Sequence, residues 1–118
     1  MGTITTFDLD RFTRAAEERD AATQLSMYGP NAVVTIADKV SQPGAPQVLR
    51  TREEIQAWLE DIYGRDMTHS VRHALSDGDT AALWVDCEYP DGTRVRCAGA
   101  IEVRDGKITH EDVVQEWD

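Results

Sequence analysis

Little in this chain points to cofactor or metal chemistry. It has 2 cysteines and 3 histidines in 118 residues. Cys87 and Cys97 stand too far apart for a Cys-x-x-Cys pair, and neither has metal-ligand spacing. No Gly-rich phosphate loop, nucleophile elbow or His-Glu-x-x-His run occurs. That argues against nucleotide cofactors, structural zinc and serine hydrolase chemistry. We therefore expect no cofactor and no metal site. Positive charge is also scarce: 12 Lys and Arg against 22 Asp and Glu leave a formal charge of -10. Such a chain repels phosphate backbones, so neither nucleic acid nor an anionic membrane is an expected partner. No apolar run approaches the length of a membrane span. The first ten residues, MGTITTFDLD, lack a basic and then an apolar segment, so they do not read as a secretory signal. Reduced thiols and a cytoplasmic location follow as expectations. Gly2 followed by Thr6 matches a loose acylation pattern that is short and often accidental.

What is present is order at short range. At 118 residues and 41% hydrophobic, the chain suits one domain, residues 1–118, with one modest core. Leu9, Phe12, Ala15 and Ala16 fall on one side of a helix over Asp8 to Arg19. Asp20 can cap a second short helix reaching Tyr28, stopped by Gly29-Pro30. The β-branched run Ala32 to Ala37 reads as a strand, and Asp38 to Arg50, with Pro43, Gly44 and Pro46, as an irregular loop. Thr51 and Glu54 form a capping box for a third helix that ends at Gly64. Its apolar face carries Ile55, Trp58, Leu59 and Ile62.

Three Asp-Gly pairs then recur fourteen residues apart, at Asp77-Gly78, Asp91-Gly92 and Asp105-Gly106. Asp-Gly between alternating runs is a hairpin signal, because glycine accepts the positive φ of a tight turn. Four antiparallel strands are predicted, near Thr68–Leu75, Thr80–Tyr89, Arg94–Val103 and Lys107–Trp117. A type I turn with a glycine bulge at Pro90-Asp91-Gly92 pairs Tyr89 with Thr93 and Val85 with Cys97. One face then holds Leu83, Val85, Cys87, Val95, Cys97, Gly99 and Ile101. The other holds Trp84, Asp86, Glu88, Arg94, Arg96 and Ala98. The same turn at Asp77-Gly78 sets His69 opposite Val85, Val71 opposite Leu83 and His73 opposite Ala81, with both imidazoles on the apolar face. A two-residue turn at Asp105-Gly106 pairs Val103 with Ile108 and places His110 and Asp112 inside. A bulge turn there would instead point Thr109, Glu111 and Val113 inward.

Two helices, a strand, a loop, a third helix and a meander make an α+β pattern, α-α-β-α-β-β-β-β. It resembles the cone-shaped fold of nuclear transport factor two, in which three N-terminal helices pack on a curved, mostly antiparallel sheet. That superfamily includes ketosteroid isomerase, limonene epoxide hydrolase, scytalone dehydratase and the SnoaL-like polyketide cyclases. The resemblance is carried by Met27 to Val34, Thr51 to Leu59, Asp77 to Ala82, Asp105 to Ile108 and Asp112 to Gln115. The isomerase's tyrosine, strand aspartic acid and base would align with Phe12, about Gly99, and Ile36, so that machinery does not carry over. One aspartate of limonene epoxide hydrolase is matched by Asp112, but its arginine is not. SnoaL-like proteins often end in a Trp-Asp-Val-x-Gln-like run after Gly-Lys-Ile. Asp112-Val113-Val114-Gln115 resembles it, with Glu111 where the tryptophan would stand. SnoaL-like is the closest description, and a fold shared by many activities leaves function to the site.

The expected site is a pocket on the inner sheet face for a small, largely apolar molecule. Asp112 is the candidate general base, since desolvation raises a carboxyl's pKa. His69, His73 and His110 are candidates to orient it or relay its proton. Asp38, Tyr28, Trp58, Val85, Cys97 and Ile101 are expected to line the cavity. Any reaction would be cofactor-free isomerisation, cyclisation, dehydration or water addition. The alternatives are a non-catalytic carrier or sensor, and an interaction module with a filled cone. Trp84, Ala98 and Ala100 form an apolar strip on the outer face, which suggests a homodimer contact.

Overall fold

The computed structural model describes residues 7–118; the Gly2 to Thr6 pattern lies outside the described residues. The order is α1 (Leu9–Glu17), α2 (Ala21–Leu25), β1 (Tyr28–Ala37), β2 (Gln47–Leu49), α3 (Arg52–Gly64), β3 (Thr68–Asp77), β4 (Thr80–Glu88), β5 (Arg94–Arg104) and β6 (Lys107–Trp117). The strands form one curved, mixed sheet in the order β2-β1-β6-β5-β4-β3. All neighbours are antiparallel except β1 and β6. Three helices cover one face, and the core lies between the two layers. No helix among the described residues is long and apolar enough to cross a membrane.

Local chemistry accounts for the helices. The Asp8 side chain accepts from Arg11 N at 3.0 Å, and α1 then buries Phe12, Ala15 and Ala16. Asp20 caps α2 through Thr23 N. Both arms of the Thr51–Glu54 box are formed, and α3 buries Ile55 and Leu59. Two expectations need correction here. Tyr28 does not end a helix: it opens β1 opposite Ile108, and the Ile108 N–H donates to Met27 O at 2.9 Å. Gly29 lies flush on this neighbour, where an added Cβ would come within 3.2 Å of Ile108 O. A close backbone approach, not a helix stop, is what demands the glycine. Within the segment read as loop, Gln47–Leu49 forms an edge strand on β1 that buries Leu49. Three residues after Pro46 carry too little periodicity to announce a strand.

The central hairpin follows its predicted register throughout, from Glu88 opposite Arg94 to Val85 opposite Cys97. Gly92 has φ +92° and the turn closes with Tyr89 N donating to Thr93 O. The other two hairpins each contain a bulge that their turns do not reveal. Asp77 pairs with Thr80, so the first turn has two residues, with Gly78 at φ +61°. An extra residue near Arg72 then shifts the ladder. His69 faces Cys87 and Val71 faces Val85 on the inner side, whereas His73 pairs with Trp84 on the outer side and is exposed. The last turn is the expected two-residue one, with Asp105 at φ +52° and Gly106 at φ +77° pairing Val103 with Ile108. Thr109 is then left unpaired, so Glu102 meets His110 and Ile101 meets Glu111. Because side chains alternate, one extra residue moves every later side chain to the opposite face. His110 and Asp112 therefore project outward, correcting the inward placement. Their side chains meet at 3.1 Å (Nε2 to Oδ1) on the solvent side, with Asp112 60% exposed. Ile108, Glu111 and Val113 are buried in their place.

Removing the cap of α3 tests the helix assignment. Thr51→Ala loses the hydroxyl that accepts from Glu54 N, keeps the backbone N–H bond to Glu54 Oε1, and should lower stability by about 1 kcal/mol in urea denaturation.

Candidate functional site

A cavity of about 490 Å3 lies between the helices and the inner sheet face. Its wall includes Trp58 and Tyr63 from α3, Val85 and Cys97 from the sheet, and the ionisable groups His69 and Glu111. Asp38 also reaches it. That carboxylate, however, accepts from Val40 N at 2.9 Å and Ser41 N at 2.8 Å, holding the start of a loop. Ile101 and Tyr28 sit in the packed core behind the wall. Of the four residues expected to carry chemistry, only His69 is inside; His73, His110 and Asp112 are on the other face.

The buried carboxylate is Glu111. It stands in a row of inward residues that crosses the sheet: Leu49, Val34, Glu111, Ile101 and Ala81. Each is at most 5% exposed, and Glu111 itself is 4% exposed. Desolvation of a charge by so apolar a setting costs several kcal/mol. One strong hydrogen bond to an ionised group returns only about 1.5–3 kcal/mol. Tyr28 supplies that bond, its hydroxyl donating to Glu111 Oε1. The balance favours the neutral acid. Burial, reinforced by the nearby Asp112 charge, pushes the Glu111 pKa up from 4.5 to about 7, with the Tyr28 bond pulling the other way. Burial and then the Glu111 charge hold the Tyr28 phenol well above its ordinary value, so it remains a donor. Behind it, the Tyr63 hydroxyl donates to Gln24 Oε1, and both side chains reach the cavity wall.

The arrangement leaves Glu111 one oxygen engaged and one free for a ligand. Oε2 lies beside Gly99, 3.7 Å from where a Cβ would stand. A carboxyl near neutrality can both take and return a proton. Glu111 was visible in the sequence only as one outcome of the last hairpin, because alternation alone assigns Asp112 and Glu111 to opposite faces without saying which. Among the described residues, no three His, Cys, Asp or Glu side chains converge so as to hold a metal ion.

The outer face is different in kind. Trp84 is 39% and Val114 58% exposed, in one cross-strand row with Ala98. Arg96 lies 4.9 Å from the centroid of the Trp84 ring, whose N–H donates to Asp86.

Comparison with known proteins agrees with this architecture. No curated protein sequence matches the chain. Among solved structures, an NTF-2 like protein of unknown function from Burkholderia xenovorans superposes with a TM-score of 0.76 at 19% identity, over 92% of this chain and 79% of that one. A candidate ketosteroid isomerase from Kribbella flavida gives 0.72 at 18% identity, over 92% and 73%. A candidate polyketide cyclase from Sinorhizobium meliloti gives 0.65 at 19% identity, over 88% and 90%. At such identities the likeness establishes the fold alone. The model of the SnoaL-like domain matches residues 9–111, and this chain belongs to that family.

Proposed function

We propose that the chain binds a small, largely apolar molecule in its cavity and acts on it by cofactor-free acid–base chemistry, with Glu111 as the proton acceptor. The observation that carries this reading is a buried carboxyl, poised near neutrality, on a cavity wall where Trp58, Leu83, Val85 and Val113 supply apolar surface. Tyr28 orients Glu111 and limits how far its basicity rises. A substrate fitting this site carries an acidic C–H or O–H next to a hydrophobic body. Isomerisation, cyclisation and dehydration all begin with such a proton transfer. The candidate isomerase and cyclase among the structural neighbours agree with this class. The side chains at the isomerase-like positions, Phe12, Ile36 and Gly99, carry no ionisable group, so the base here comes from β6. They also favour the second reading, a carrier that binds without conversion.

Native mass spectrometry of protein purified from its own host should find a retained small molecule. With that compound, Glu111→Gln should keep binding but lose turnover by about 100-fold or more. Full turnover in Glu111→Gln would reject the assignment, and binding with no conversion by the parent would leave the carrier.

The raised pKa makes a second test that needs no ligand. The carboxyl titrates near 4.5 when unfolded and near 7 when folded. Between these values the folded state holds a proton that the unfolded state has released. Stability therefore falls as pH rises through this window and levels off above it. Glu111→Gln should lack that slope, and at about pH 8 it should be more stable than the parent by roughly 2–3 kcal/mol in urea denaturation.

The proposal also pairs two chains through the outer sheet face, as expected for a cytoplasmic homodimer. A two-fold axis near Ala98 would lay Trp84, Ala98, Ala100 and Val114 against their copies. Arg94 and Glu102 lie four residues to either side of Ala98 on β5, so an axis running across β5 would bring Arg94 against Glu102 of the partner subunit. Trp84→Glu should then sediment as a monomer where the parent sediments as a dimer.

A further inference from the structure

A second polar cluster stands at the other end of the sheet, six residues along β4 and β6 from the Glu111 row. One row of inward residues crosses four strands there: His69 faces Cys87, Cys87 faces Val95, and Val95 faces Trp117. Cys87 Sγ lies 3.2 Å from His69 Nδ1. His69 and Cys87 are 8% and 4% exposed, yet both belong to the cavity wall. Cys97, a free thiol like Cys87, stands in the next inward row on β5. Two buried side-chain nitrogens among the described residues have no hydrogen-bond partner, His69 Nε2 and Trp117 Nε1. Both residues line this same cavity. A tryptophan nitrogen can only donate, and a buried donor without an acceptor is costly. Its natural match is an acceptor atom on a ligand.

We propose that Cys87 and His69 form a nucleophilic thiol site that takes up apolar α,β-unsaturated carbonyl compounds by conjugate addition, the carbonyl oxygen accepting from Trp117 Nε1–H. This rests on the reading that the cavity admits small apolar molecules. The backbones of Cys87 and Trp117 are about two strand spacings, roughly 10 Å, apart. The indole side chain and a small enone lying over Val95 fill that gap together.

The step is an addition of S–H across a double bond. His69 Nδ1 takes the thiol proton. The sulfur pair forms the bond to the β carbon, and the C=C pair moves toward the carbonyl as an enolate. The proton on His69 then returns to the α carbon. Nothing is oxidised or reduced. The surroundings favour the thiolate: hydrogen bonds from Cys97 and then His69 pull Cys87 below the ordinary thiol value, against burial and the charge of Asp86 on the outer face. From α3, the Tyr63 ring packs edge-on against His69 at 5.1 Å and carries no charge near neutrality.

Benzylideneacetone and its saturated counterpart, benzylacetone, test the proposal. Intact mass and peptide mapping should show one enone adduct, at Cys87. Its rate should fall by less than about threefold between about pH 8 and pH 6, where an ordinary thiol loses roughly 100-fold. His69→Gln should slow addition by about tenfold or more at neutral pH and steepen the profile. Cys97→Ala should still form the adduct at Cys87, with a steeper pH profile, and Cys87→Ala should bind benzylacetone without forming an adduct. An adduct on Cys97, or an unchanged rate and profile in His69→Gln, would overturn the assignment. Binding of benzylacetone with no enone adduct would overturn it while leaving the cavity reading intact. If neither compound binds, both readings fall.

Discussion

Thr109 has no paired residue in the β5 ladder, only a hydroxyl bond to Glu102 O, and every residue after it on β6 takes its facing from that fact. With the bulge, Ile108, Glu111 and Val113 are buried, while His110 and Asp112 stand in water. Without it, His110 would enter the core opposite Ile101 and Asp112 opposite Gly99. The bulged strand spares that cost. It delivers the carboxyl with the longer side chain to the one place where Tyr28 can reach it. β1 has its own register shift against β6, between Tyr28 and Val33. There β1 advances five residues while β6 advances two, from Ile108 to His110, and Gly29 permits the close approach to Ile108 O at the start of the pairing.

The inner face therefore has two polar stations, with Leu83, Val85, Val113, Cys97 and Gln115 between them. Glu111 and Tyr28 form one. His69 and Cys87, with Trp117 along the same row, form the other, about 20 Å away by strand rise. They differ in electrostatic logic. At Glu111 burial dominates and the neutral acid gains. At Cys87 hydrogen bonds to the sulfur dominate and the anion gains, even though the group is also buried. The same low-dielectric setting shifts two acids in opposite directions because only one of them has more than a single donor facing it. An elongated molecule with one polar end could satisfy either station without disturbing the other.

How much of this was legible before any coordinates depended on how locally each feature is encoded. The central hairpin was fully legible: Pro90-Asp91-Gly92 specifies the turn, and two strands of strict alternation agree about what is inside. The caps at Asp20 and Thr51 needed only neighbours three residues away. The two bulges were not legible. A bulge adds a residue without a distinctive side chain, and Arg72 and Thr109 are ordinary strand residues. The tight turns at Gly78 and Gly106 set the register of only the first few pairs. Beyond the bulges, tertiary packing decides: α1 against β3 at one edge, and β1 against β6 at the other. Hence turn-based alternation gives His69 its true face but the wrong partner, and gives His73, His110 and Asp112 the wrong face. Tyr28 was expected at the cavity on helical grounds and reaches its role from a strand.

Stability and function pull against each other at Glu111. The pKa displacement from 4.5 to about 7 is equivalent to roughly 3 kcal/mol of unrecovered desolvation at alkaline pH. That is a sizeable fraction of what a domain of this length can hold in reserve. A fold with no use for a carboxyl there could place a leucine in the row and pack Gly99 with a larger residue. Instead the row keeps the acid, a phenol that meets only one of its oxygens, and a glycine beside the other. A purely structural carboxylate would be expected to have both oxygens matched. One matched oxygen and one facing the cavity is the arrangement that orients a proton acceptor while leaving it room to act.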